Sequence, residues 1–212
     1  MKVKLLTPLI LGGMLFFQGC GPEDADKNKE MEFKSSGEFD MVDYISASNV
    51  EKQTFHVINY VKDGEKRTED TPIEHEGELY YTYKRDGNKI ESYVEASNVV
   101  ADYTHFATTE IKEDRIETML YEHNKIYTTT RFANIGDLVS ETEAGKCYLV
   151  KHLDTMTVRG VEYEDILKLS CRSDTQNRSK KVDSGYDSYI AYGIGGIYTN
   201  APWLTHKLIS YE

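Results

Sequence analysis

From Gln53 to the C-terminus the chain is a succession of short runs rich in Tyr, Thr, Val and Ile, each broken by a cluster of turn residues. Leu79 to Tyr83 runs into Asp86-Gly87-Asn88, and Ile90 to Val94 returns. Tyr103 to Ile111 and Ile116 to Tyr121 flank Lys112 to Arg115, and Cys147 to Val158 and Val161 to Cys171 flank Arg159-Gly160. Tyr189 to Tyr198 and Leu204 to Tyr211 finish the chain. Alternation of apolar and polar residues marks half-buried strands, and no segment keeps a helical period over three turns. Sixteen Tyr against four Pro lean the same way. Strands of this length at short spacing predict an antiparallel all-β protein. The expected fold is one strongly curved antiparallel sheet, curved as far as a half-barrel, from Glu38 to Glu212. Its concave face then needs a cover, a partner or a ligand, because a lone domain rarely exposes so large an apolar area.

The first residues follow another logic. Met1 to Cys20 reads MKVKLLTPLILGGMLFFQGC: two lysines, an apolar run from Leu5 to Phe17, then Gly19-Cys20. That run is too short to span a bilayer, which needs about 20 apolar residues, and it fits a secretory signal. Leu15 to Cys20 resembles a bacterial lipobox, with Phe17 and Gln18 bulkier than usual. The expectation is a signal peptide over 1–19 and lipidation at Cys20; the competing reading is a plain signal or uncleaved anchor with an incidental Cys. Several acyl chains on Cys20 would anchor the protein stably where one would not. Losing Lys2 and Lys4 with the signal takes the formal charge from −11 to −13. Residues 20–37 carry Gly, Pro, Ser and many charges without apolar periodicity, as a solvated tether does. A flexible coil of that length reaches on the order of 20–25 Å. Gly21, with no Asp directly after Cys20, fits an outer-membrane address on the periplasmic side.

Beyond Cys20, Cys147 and Cys171 form an even pair in a chain expected to be exported, which invites a disulfide. They lie symmetrically about Arg159, so an antiparallel hairpin turning there sets them nearly opposite. Cys147 and Leu149 share a parity, as do Leu167, Leu169 and Cys171, so both sulfurs fall on an apolar face. Two buried free thiols are the alternative. A redox-active pair fits less well, without C-x-x-C spacing or a basic neighbourhood.

The chain offers little for chemistry. Its six histidines, His56, His75, His105, His123, His152 and His206, have no i, i+2 or i, i+4 pairing, and His75-Glu76-Gly77-Glu78 lacks the second His of a zinc-protease helix. No G-x-S-x-G elbow occurs. Gly193-Ile194-Gly195-Gly196 reads as a bend or bulge in a strand, not a phosphate cradle. Tyr80, Tyr81, Tyr83 and Tyr93 read either as an aromatic binding face or as cross-strand packing. With Lys and Arg at 25 against Asp and Glu at 36, no basic face is available for nucleic acid. No catalytic residue, metal ligand or cofactor is expected. A faint repeat relates Tyr44 to Val50 with Tyr93 to Val99; a duplicated hairpin unit or chance explains it.

Three segments carry a family resemblance: Phe16-Phe17-Gln18-Gly19-Cys20, Phe39 to Tyr44, and Gly160 to Lys168 followed by Tyr189 to Gly195. They resemble envelope lipoproteins of Gram-negative bacteria of the Campylobacter and Helicobacter type. The resemblance implies a curved antiparallel sheet and brings no catalytic residues. The expected function is therefore non-enzymatic: a lipoprotein held to the outer membrane through Cys20, binding an envelope protein partner or supporting the envelope. The alternative is a carrier holding a lipid or other apolar ligand in the concave sheet.

Overall fold

The computed structural model describes residues 38–60, 71–96, 104–121, 124–142, 145–172, 185–202 and 204–212. Cys20, the signal and the tether lie outside the described residues. The protein is all-β, and the sheet does more than curve: it closes. The strands are β1 (Phe39–Asp40), β2 (Lys52–Tyr60), β3 (Ile73–Asp86), β4 (Lys89–Ala96), β5 (Thr104–Ile111), β6 (Arg115–Leu120) and β7 (Lys125–Thr130). They continue as β8 (Phe132–Ala133), β9 (Leu138–Thr142), β10 (Gly145–Val158), β11 (Val161–Arg172), β12 (Gly185–Ala191), β13 (Gly195–Ala201) and β14 (Leu204–Tyr211). Twelve of them form one antiparallel barrel in the order β10-β11-β12-β13-β14-β2-β3-β4-β5-β6-β7-β9, while β1 and β8 pair separately. The expected half-barrel is thus corrected to a full one. Two pairings that no local sequence signal announces complete the ring, β14 with β2 and, across β8, β7 with β9.

Each strand follows its neighbour up and down, so the turns collect at two rims. The upper rim carries the β3–β4, β5–β6, β10–β11 and β12–β13 turns. Most of these match the expected hairpins. Gly87 takes the left-handed conformation (φ 58°) that the β3–β4 turn requires. The region from Tyr189 to Tyr198 is not one strand: it folds back at Tyr192–Ile194, where Gly193 and Gly195 have φ of 70° and 90°.

The β10–β11 hairpin turns through Arg159 and Gly160, with Val158 opposite Val161. Both turn residues have positive φ, 52° and 78°, the type I′ geometry that matches strand twist. A two-residue turn pairs only residues an odd number apart. Cys147 and Cys171 are 24 apart, and the register shift between Leu149 and Lys151 supplies the extra residue that brings them opposite. They form a disulfide.

The upper opening is closed by the chain itself. After β1 come a 3-10 turn (Met41–Tyr44) and a single helical turn, α1 (Ser46–Asn49). Met41 N–H donates to the Arg131 carbonyl (2.7 Å), Gly193 N–H to the Asp43 carbonyl (2.8 Å), and Arg85 Nη2 to the Val50 carbonyl (3.0 Å). These partners sit at separate points of the rim, so residues 39–50 cross it. Phe39, Met41, Tyr44, Ile45 and Val50 are buried in the barrel's main core. The segment Phe39–Ile45 is therefore a short bridge plus a helical turn. The repeat with Tyr93 is not structural over the described residues: Tyr44 ends the 3-10 turn and Ser46–Asn49 form α1, whereas Tyr93 to Ala96 lie in β4.

Candidate functional site

Cross-strand partners share a face of the sheet, so register assigns each side chain to the bore or to the outside. Gln53, Phe55 and Val57 of β2 face the bore with Leu79, Tyr81 and Tyr83 of β3 and with His206 and Leu208 of β14. The disulfide faces inward with Leu149, Leu167 and Leu169, as parity predicts, and all three leucines are fully buried. The outer faces of β3, β4 and β6 carry Glu78, Lys84, Glu91 and Glu117. This is the reverse of a membrane-spanning barrel, whose apolar band faces outward around a polar interior. Here most of the apolar surface is enclosed, while Ile126, Leu138 and Tyr148 are exposed on the outside of β7, β9 and β10.

An aromatic panel lines one wall of the bore. Phe55 meets Tyr81 edge-on at 5.7 Å between centroids and lies 6.2 Å from the His206 ring, and Tyr81 stacks with Tyr83 at 6.4 Å and meets Phe106 edge-on at 6.3 Å. Gln53, fully buried beside them, is satisfied: its amide donates to the Ile194 carbonyl (3.1 Å) and its oxygen accepts from Tyr83 Oη (2.9 Å). Tyr81 Oη and His206 Nε2 are also buried, yet neither meets a hydrogen-bond partner. Burial pushes the Tyr81 phenol well up and the His206 imidazole down to about 4, so both are neutral near pH 7. Among the described residues no Asp, Glu, Lys or Arg side chain is buried.

The two ends of the bore differ. The upper end is filled by residues 39–50. Tyr44 Oη donates to Asp165 (2.8 Å), which also bonds His152 Nε2 (2.7 Å), and Phe39 meets the His152 ring edge-on at 5.0 Å. Asp165 has a positive φ of 52°, and there β11 leaves β12, so the hairpin tip projects beyond the barrel and packs on the cap. Arg131 holds Asp40 through Nη2 at 2.9 Å. Asp43 is raised by burial and then by the Asp40 charge. Toward the lower end the inward-facing Gly77, Val94, Ala96 and Tyr127 are only half-buried. Phe106, Ala107 and Leu120 form a second apolar cluster there, with Val94 and Tyr127 against it. The lining is open to solvent at this end, with Asn59, His75 and Lys125 sharing the inward face at the mouth below this apolar cluster.

The tyrosines read together from the sequence are divided by the sheet. Tyr81 and Tyr83 face the bore, while Tyr80 and Tyr93 face outward. Outside, Tyr93, His105 and Tyr121 form a stack, with centroids 4.9 and 4.3 Å apart. Cross-strand packing therefore describes Tyr93 and a binding face does not describe the four. Of the histidines, His56 pairs with Glu76 at 2.8 Å on the surface, and His123 lies outside the described residues. No three His, Cys, Asp or Glu side chains converge as metal ligands among the described residues. In the sequence Tyr81 stands only as one of four grouped tyrosines, and His206 as one of six scattered histidines. Parity was the available signal: His206 alternates with Leu204 and Leu208, and Tyr81 with Leu79 and Tyr83. Compared with known proteins, the chain matches no family model, no curated protein and no solved structure.

Proposed function

We propose that this protein is a non-enzymatic, membrane-tethered barrel that carries an apolar ligand in its bore. The observation that carries the reading is the polarity of the two faces: a charged exterior around an apolar, aromatic lining that is capped above and partly exposed below. Barrels of more than about eight strands are wider than their own side chains easily fill, and such barrels commonly enclose a ligand. Closure also weighs against a protein partner on the concave face, since that face is now the inside. The lipobox-like end at Cys20 and the charged stretch 20–37 support an anchor on the outer membrane, with the domain in the periplasm. Residue 38 enters at the capped rim, the end opposite the half-open mouth.

A second reading keeps an envelope partner. Phe132, Ile135, Val161, Tyr192 and Tyr211 are exposed around the capped rim, where a protein could dock. Native mass spectrometry of protein isolated from its own host separates the two. A co-purified small apolar molecule is the expected result; ligand-free protein recovered with a cross-linked protein at the capped rim would replace the carrier reading. Metabolic labelling with a palmitate analogue tests the anchor: label on the wild type and none on Cys20→Ala is expected, and equal labelling refutes it.

A further inference from the structure

The polar groups of the bore fall into two kinds. Most are paired within the protein: Thr109 with Thr118 at 3.0 Å, Ser188 with Thr199 at 3.1 Å, Gln53 with Tyr83 at 2.9 Å. Tyr81 Oη and His206 Nε2 are not, although both are buried and both rings neighbour Phe55. A buried polar atom without a partner forfeits its hydration and receives nothing in return, and native proteins keep few of them. Two in one aromatic panel call for something that completes them.

Building on the carrier reading above, we infer that the bore takes an uncharged ligand, an apolar body bearing a hydroxyl or carbonyl group, and that Tyr81 Oη and His206 Nε2 are the atoms that receive that group. The wall selects the body: Phe55, Phe106, Leu79 and Val57 offer only apolar surface. The charge inventory selects the head. A carboxylate or phosphate drawn into the bore would find no buried cation among the described residues, and an unpaired charge in such a place is strongly disfavoured. The His206 imidazole supplies no countercharge, because burial holds its pKa near 4. A neutral oxygen is served well: the Tyr81 phenol donates to it, and the uncharged imidazole nitrogen donates or accepts according to its tautomer. The apolar lining is continuous from the mouth to these atoms. Val94 and Tyr127 at the lower mouth pack against Phe106, and Phe106 touches Tyr81.

The test titrates the purified full chain with 1-decanol and with decanoate near neutral pH, by calorimetry, for the wild type and for Tyr81→Phe and His206→Leu. The wild type should bind decanol at least about tenfold more tightly than decanoate. Tyr81→Phe should weaken decanol binding by about tenfold, the worth of one hydrogen bond. The ligand-free thermal midpoint of that variant should stay level or rise, because no bond is lost in the empty bore. A merely structural tyrosine would not separate affinity from stability in this way. Equal or tighter binding of decanoate would overturn the neutral class and leave the carrier standing. Decanol affinity unchanged by Tyr81→Phe and by His206→Leu would overturn the assignment of the receiving atoms. Binding of neither alkyl probe would remove this inference and the carrier reading together.

Discussion

Removing the disulfide offers the best-defined perturbation of the barrel. Cys147 and Cys171 close a ring across the β10–β11 hairpin, with a sequence separation of 24. For a loop of that size the chain-entropy relation gives about 3.5 kcal/mol at 25 °C. The local environment adds to it. Cys147 and Cys171 are 1% and 3% exposed and face the bore beside Leu149 and Leu169, so a serine there buries a hydroxyl among apolar side chains. Each single Cys→Ser variant should therefore lose about 3–5 kcal/mol. With a urea dependence of about 2 kcal/mol per molar, the unfolding midpoint should fall by roughly 1.5–2.5 M. The double variant should lose only about 1–2 kcal/mol more than either single one, for its second buried hydroxyl, since one bond is lost in every case. Two free thiols would instead give nearly additive losses from separate sites. The burial dictates the assay: thiols must be counted in denatured, unreduced protein, because neither sulfur is accessible in the native state. No reactive thiol from these two positions is expected; two per chain, or additive losses, would refute the reasoning.

Other perturbations probe the cap, the turn and the buried imidazole. Tyr44→Phe removes the 2.8 Å bond to Asp165 and should cost about 1 kcal/mol; faster hydrogen exchange at Gly193, whose N–H bonds Asp43 in the cap, would accompany it, and unchanged exchange would refute the cap's dependence on Tyr44. Gly160→Val places a β-branched residue at φ 78° and should cost about 1–2 kcal/mol in thermal or urea unfolding; since a Cβ there meets no atom within 4 Å, a larger loss would show that the turn packs against something. His206 is held neutral, with its pKa lowered to about 4 from the ordinary 6.5. The unfolded chain binds a proton between those values and the folded one does not. The stability it contributes is complete above about pH 6.5 and is lost as pH falls toward 4, by roughly 3 kcal/mol in all. His206→Leu should flatten that part of the stability–pH curve, and an unaltered curve would show that His206 is not buried neutral.

The β class, the hairpins at Asp86-Gly87, Lys112–Asp114 and Arg159-Gly160, and the pairing of Cys147 with Cys171 were legible because each depends on residues close in sequence. Alternation assigns faces, turn residues assign reversals, and a hairpin turns a sequence interval into a spatial one. The same parity rule placed Leu149, Leu167 and Leu169 with the sulfurs. Closure was not legible in this way. The pairings of β14 with β2 and of β7 with β9 across β8 depend on accumulated twist and on shifts such as that between Leu149 and Lys151, each of which moves the register by one residue. Local signals stop at the hairpin, so the sequence reading ended at a half-barrel and left a concave face open to any partner. Closing the ring made that face an interior, sent Tyr81 and Tyr83 inward and Tyr80 and Tyr93 outward, and laid residues 39–50 across the upper rim. Burial of His206 is likewise a property of the assembled barrel, because an imidazole loses its water only when all the walls around it are in place.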